Sequence, residues 1–180
     1  RVENIGALFS MAAVLAKQPR PKGRRLSIVS NAAGPSILAT DALVNGGGQL
    51  AKIAPETLAA LDEALPEYWN RANPVDALAD ATPERFARAA EITARDPNSD
   101  GLLLILTPQA MTDPTGVARA IAGIPQFGMK PVLASWMGGA AVAEGERILN
   151  EHNIPTLSYP DTTAQVFNAM WRYSSSVHAL

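Results

Sequence analysis

The sequence predicts an α/β fold: a three-layer, doubly wound sheet of five parallel strands with helices on both faces. Three observations predict it. Short apolar runs alternate with stretches whose apolar residues recur at helical spacing, the pattern of repeated βαβ units with right-handed crossovers. Gly101 to Thr107 reads GLLLILT, the continuous apolar run expected of a central parallel strand buried on both faces. Leu26 to Leu43 joins an apolar run to a helical stretch through small residues, giving a strand, a tight turn and a helix start.

Asn4 to Lys17 carries Ile5, Leu8, Phe9, Ala12, Val14 and Leu15 close to the rhythm of an amphipathic helix. A basic connector follows, Gln18 to Gly23, broken by two prolines. The first strand ends at Ser30, and its helix runs from Pro35 to Val44. Asn45-Gly46-Gly47-Gly48 suits a left-handed C-cap with a tight return to a second strand, Gln49 to Ile53. Pro55 opens a helix, Glu56 to Leu65, with Leu58, Leu61 and Leu65 on one face.

Pro66 to Asp80 reads as an irregular connection rich in polar and aromatic residues. Thr82 is the expected N-cap of a helix reaching about Ala94, with Pro83 at its first position. The apolar strand Gly101 to Thr107 leads into a loop, Pro108 to Asp113, and Asp113-Pro114 opens a helix through Ile121. Lys130 to Trp136 is the fourth strand, followed by Met137-Gly138-Gly139 and a helix from Ala141 to Leu149. Ile154 to Tyr159 is a short fifth strand, and Asp161-Thr162-Thr163 caps the last helix. Five strands so connected make a flavodoxin-like sheet.

Composition narrows the function. Of 180 residues 47% are hydrophobic and 18% charged, which suits a folded globular domain. Fifteen basic against seventeen acidic residues leave a net charge of −2, which offers no field for nucleic acid or an anionic membrane. The cluster Arg20, Lys22, Arg24 and Arg25 reads as a solvated linker. No apolar run approaches the roughly 20 residues of a membrane span. The absence of cysteine excludes disulfides, thiolate metal sites and a cysteine nucleophile, and fits a cytoplasmic protein. Arg1 opens the chain, and we expect a piece of a longer protein: residues 1–22 as helix and linker from a preceding domain, 23–180 as the α/β domain.

In an open α/β sheet ligands bind outside the carboxyl ends of the strands. The polar groups converging there are Asn31, Ser36, Thr107, Gln109, Thr112 and Ser135, among which no nucleophile–base pair stands out. Asn31-Ala32-Ala33-Gly34-Pro35-Ser36 presents free backbone N–H groups at a helix start, where an anion such as a phosphoryl group is favoured. His152 and His178 read as surface or capping residues, Asp76 and Asp113 as turn or capping carboxylates, and Trp69 and Trp136 as core or interface anchors. A receiver-type phosphorylation site is disfavoured because the first strand ends in Ser30-Asn31 instead of an acidic pair. An FMN phosphate loop is disfavoured by the few hydroxyls in Ala32 to Ser36.

Four motifs then point to a family. RRLSIVSNAAGPSILATDAL, NPVD at Asn73 to Asp76, LLLILTPQAMTDP and KPVLASWMGG resemble, in order, the second flavodoxin-like domain of NDP-forming acyl-CoA synthetases, relatives of succinyl-CoA synthetase. The resemblance spans about Ile5 to Tyr173. The family's turn is closer to NAGGPG, and Ala33 and Ser36 stand here where it has glycines.

The resemblance implies a ligase that makes acyl-CoA, ADP and phosphate from acid, CoA and ATP through a phosphohistidine. Asn31, Ala33, Gly34, Pro35 and Ser36 would then face the phosphohistidine loop, and Thr107, Pro108, Gln109, Ala110, Met111 and Thr112 would line the acid-substrate pocket. It implies no catalytic residue and no metal ligand in this chain. The histidine, the CoA site and the ATP-grasp nucleotide site, with CoA, ATP/ADP and Mg, belong to other domains of the same protein or complex. The chain alone is expected to be inactive, and a homo-oligomer is compatible with the resemblance. The wording from Tyr68 to Asp76 also resembles fusions carrying a GNAT acetyltransferase domain, in which the corresponding module would sense acyl-CoA without catalysis.

Overall fold

The computed structural model describes residues 5–125 and 127–178. In chain order these are α1 (Ile5–Lys17), β1 (Arg25–Ser30), α2 (Ala33–Asn45), β2 (Gln49–Leu50), α3 (Pro55–Ala64), β3 (Val75–Asp76), α4 (Pro83–Ala94), β4 (Gly101–Leu106), α5 (Pro114–Ala122), β5 (Val132–Trp136), α6 (Ala143–Glu151), β6 (Thr156–Leu157) and α7 (Pro160–His178). A single 3-10 turn, Gly139–Ala141, precedes α6. Asn4 lies outside the described residues, as does the side chain of His178.

Every strand pair is parallel, in the order β2-β1-β4-β5-β6. That is the flavodoxin-like order, with one correction to the expectation of five strands. A sixth, β3, pairs with the downstream half of β1 (Val29 with Val75, Ser30 with Asp76), on the edge whose upstream half pairs β2. Two residues inside a polar segment carry no period-2 pattern, so nothing in the sequence marks β3 as a strand. The expected strands at Gln49–Ile53 and Ile154–Tyr159 shorten to two ladder residues each. The last helix begins at Pro160, so Asp161 to Thr163 form its first turn, and Thr163 Oγ1 donates to the carbonyl of Tyr159 at 2.8 Å.

The central strands separate two cores. Val29, Leu102, Leu104, Leu106, Val132, Ala134 and Trp136 face α3 to α6, with Phe86 set edge-on to Trp136 at 6.3 Å. Leu26, Ile28, Leu103, Ile105 and Leu133 face α2 and α7, and Met11 and Val14 of α1 join that second core. All six residues of β4 are buried, as its continuous apolar run requires. Trp69 and Trp136 are buried anchors. The α2–β2 return is made by Gly47, whose φ of +84° is the left-handed conformation glycine adopts without penalty.

Candidate functional site

Three strands end beside one another at the carboxyl edge, and their loops are tied together by side chains. Ser30, the last residue of β1, folds its hydroxyl onto the turn, donating to the Ala32 carbonyl at 2.8 Å and accepting the Ala32 N–H at 3.0 Å. Asn31 is buried and bonds the end of β4. Its Oδ1 accepts the Thr107 N–H at 2.9 Å, and its Nδ2 donates to the Thr107 carbonyl at 2.8 Å and to Thr112 Oγ1 at 3.3 Å. Gln109 Nε2 donates to the Asn31 carbonyl at 3.1 Å. Thr107 Oγ1 reaches Met137 Sδ, in the loop after β5, at 3.9 Å.

The β5 loop closes on the same edge. Gly138, at φ +148°, lies so near Pro108 that a Cβ there would meet the ring at 2.7 Å. Both the conformation and the approach select glycine at that position. Thr107, Pro108 and Thr112 are half-buried, whereas Gln109, Ala110 and Met111 form an exposed crest, Met111 being 74% exposed.

Helix α2 starts at Ala33, two residues earlier than its apolar spacing predicts. The backbone N–H groups without an intrahelical acceptor therefore fall at Ala33 and Gly34, and Pro35 has none to offer. Ser36 lies one turn in and is buried, its hydroxyl donating to the Ala33 carbonyl at 2.7 Å. Ala33 and Gly34 are exposed.

This helix start differs from its neighbours along the edge. Glu56 lies in the first turn of α3; Thr82 caps α4 by accepting the Arg85 N–H, with Glu84 beside it; Asp113 caps α5 through Gly116 N–H. Glu144 and Glu146 begin α6, and Asp161 begins α7. Helix α2 has neither a side-chain cap nor an acidic residue in its first turn. Its positive end is therefore not neutralised by a side chain of its own first turn.

Ser135 is fully buried in β5, and its hydroxyl has no hydrogen-bond partner among the described residues. The other polar candidates have structural partners. Asp113 is the α5 cap, and Asp76 Oδ1 accepts the Leu78 N–H at 2.8 Å in a turn. His152 is exposed at the end of α6 with Nδ1 2.9 Å from the Ile148 carbonyl, a capping position. Arg25, read as linker, is the first residue of β1 and chelates Asp100. Among the described residues no group of three or more His, Asp or Glu side chains could hold a metal ion. Nor is any helix among them long and apolar enough to cross a membrane.

Sequence reasoning missed Ser30 and Met137. A hydroxyl as the last strand residue before a small-residue turn is the signal for the first, since Ser and Thr close such turns on their own backbone. Nothing in the sequence marks Met137 beyond its place beside two glycines.

These features define a class: a parallel flavodoxin-like domain whose carboxyl edge sets an uncapped helix start beside a loop held by side-chain hydrogen bonds. The chain belongs to the Ligase-CoA domain family, whose model matches residues 26–180. It is 37% identical over 171 residues to an ADP-forming acetate–CoA ligase I of Archaeoglobus fulgidus, which covers 95% of this chain and 24% of that one. It is 33% identical over 181 residues to the α subunit of ADP-forming acetate–CoA ligase II of Pyrococcus furiosus, covering 96% and 38%.

An acetyl-coenzyme A synthetase 1 of Candidatus Korarchaeum cryptofilum, solved with phosphate and ADP, superimposes with a TM-score of 0.88 at 27% identity. That match covers 97% of this chain and 38% of the synthetase. The chain thus spans about a quarter to two-fifths of the length of the relatives it matches.

Proposed function

We propose that this chain is the part of an NDP-forming acyl-CoA synthetase that holds the start of α2 against a phosphohistidine loop carried by another domain. The overall reaction is acid plus CoA plus ATP to acyl-CoA, ADP and phosphate. The observation that carries this reading is membership of the Ligase-CoA family over residues 26–180.

The geometry supports a definite division of labour. The free N–H groups of Ala33 and Gly34, at the positive end of a 13-residue helix, offer fixed donors to a phosphoryl group. Fixed donors need no reorganisation as charge moves during phosphoryl transfer. The Thr107–Thr112 loop borders the same edge and lines the acid pocket. CoA and ATP are substrates bound by the phosphohistidine, CoA and ATP-grasp domains of the same protein or complex, and Mg belongs with the nucleotide there. No observation favours the acetyltransferase-fused sensing module.

The test is turnover by the full-length protein with ATP, CoA and a panel of short carboxylic acids beginning with acetate. Acid-dependent release of ADP together with a CoA thioester is expected, and no activity from residues 1–180 alone. Absence of acid-dependent ADP release across the panel, or synthesis by the 180-residue chain alone, would overturn the reading.

A further inference from the structure

The start of α2 and the Thr107–Thr112 loop are joined by one side chain. Asn31 is 2% exposed, and its amide is fully engaged. One N–H goes to the Thr107 carbonyl and the other to Thr112 Oγ1, while Oδ1 takes the Thr107 N–H. No amide proton of Asn31 remains to meet a ligand. The bonds to Thr107 form a closed pair that fixes the first residue of the loop, and the bond to Thr112 fixes its last.

The Asn31 carbonyl also accepts Gln109 Nε2, so the crest of the loop is tethered to the same residue. Only Ala32 separates Asn31 from the first free amide of α2, and Ala32 is itself locked by Ser30 Oγ. Displacement of the loop therefore pulls on the backbone that aims the Ala33 and Gly34 N–H groups. Phosphoryl and acyl partners must meet at bonding distance, so a small misplacement of one against the other is costly.

We propose that Asn31 is a positioning residue that holds the acid-side loop and the anion-facing start of α2 as one rigid unit. It touches neither substrate. The proposal rests on the ligase reading above and adds to it how the separation between the two substrate-facing elements is fixed.

The experiment uses the full-length protein with whichever acid of the panel the wild type turns over. Asn31→Ala removes all three side-chain bonds without adding charge, and Thr112→Val removes one with little change of shape. The KM for the acid should rise about tenfold in Asn31→Ala and about threefold in Thr112→Val, with the KM for CoA and for ATP unchanged. A merely structural role would lower the active fraction and leave every KM alone.

Because Asn31 acts through Thr112, the double variant should be no worse than Asn31→Ala, whereas independent effects would multiply. Multiplying effects would overturn the proposal. If Asn31→Ala does not fold, Thr112→Val decides by its acid KM. The parallel wild type separates the two readings. A wild type without acid-dependent thioester formation overturns the ligase reading and this proposal together. An active wild type with unchanged acid KM in the folded variants overturns the role of Asn31 alone.

Discussion

The side-chain oxygen of Asn73 accepts the backbone N–H of Ile28 at 3.0 Å, and its Nδ2 donates to the carbonyls of Leu26 and Ala51, both at 2.9 Å. Ile28 sits in the gap on the β1 edge where the β2 ladder has ended at Leu26 and the β3 ladder has not begun at Val29. One amide side chain thus completes the edge that carries the turn at Asn31. Asn73→Ala should lose about 2–3 kcal/mol in urea denaturation, because an unpaired buried N–H and carbonyl are left behind. Asn73→Asp should do no better, since a carboxylate keeps the acceptor and turns a second oxygen toward two carbonyls.

The other end of α2 is held from a different helix. Asn168 of α7 is fully buried and donates to the Leu43 carbonyl at 3.0 Å and the Ala42 carbonyl at 3.3 Å, while accepting Trp171 Nε1 at 3.1 Å. A Cβ at Gly46 would collide with Asn168 Nδ2, although the φ of −83° at Gly46 is ordinary for any residue. Gly46→Ala and Asn168→Ala should each cost about 2 kcal/mol, read as a fall in Tm of about 4–8 °C. In the Asn168→Ala background Gly46→Ala should cost little. Additive losses would show that the collision with Asn168 is not the cause.

These two asparagines mark where sequence reading stops. The GLLLILT run places β4 in the centre because its burial is written into consecutive residues, and Thr82-Pro83 and Asp113-Pro114 announce their helices by local capping chemistry. The start of α2 was legible as a small-residue turn with an asparagine, but not its register, because Ala32 and Ala33 are equally able to cap or to continue a helix. The two-residue β3 is illegible for the same reason that Asn73 matters: its ladder partners, Val29 and Ser30, lie far earlier in the chain. That Asn31 serves the loop instead of offering its amide to a ligand is a long-range fact as well. Its partners Thr107 and Thr112 are distant in sequence, and spacing alone cannot show which groups an amide meets.

At the opposite edge of the sheet, Arg25 and Asp100 set a pH dependence. Asp100 Oδ2 accepts both the Arg25 backbone N–H at 3.0 Å and Nε at 2.9 Å, and Oδ1 accepts Nη2 at 3.0 Å. Burial alone would raise the Asp100 pKa, but the Arg25 bonds outweigh it and hold the carboxyl below its usual 3.8. The folded state therefore binds the proton less readily than the unfolded chain. The contribution of the pair is complete above about pH 4 and is lost as pH falls toward the lower folded-state value. Asp100→Asn should be less stable than wild type at pH 6, and the gap should narrow at pH 3. Urea midpoints at the two pH values measure it, and a gap of equal size at both would show that the carboxylate charge is not responsible.

The bare start of α2 leads to a last prediction, one that needs no other domain. With no cap and no acidic side chain in its first turn, α2 keeps its positive end unneutralised, and only Ala33 and Gly34 present free N–H groups there. A single helix end contributes about 0.3–1 kcal/mol toward an anion, rising to about 2 in sheltered geometries. Inorganic phosphate should therefore bind the isolated chain no tighter than the millimolar range, with amide shifts in a nitrogen–proton NMR titration concentrated at Ala33 and Gly34. Ala33→Glu supplies the missing carboxylate at an exposed first-turn position. It should raise stability by a few tenths of a kcal/mol to about 1 kcal/mol and suppress the phosphate shifts. Shifts that persist in Ala33→Glu, or that centre on another helix start, would detach the anion preference from α2. Their loss in the variant that gains stability ties both to the same unneutralised end.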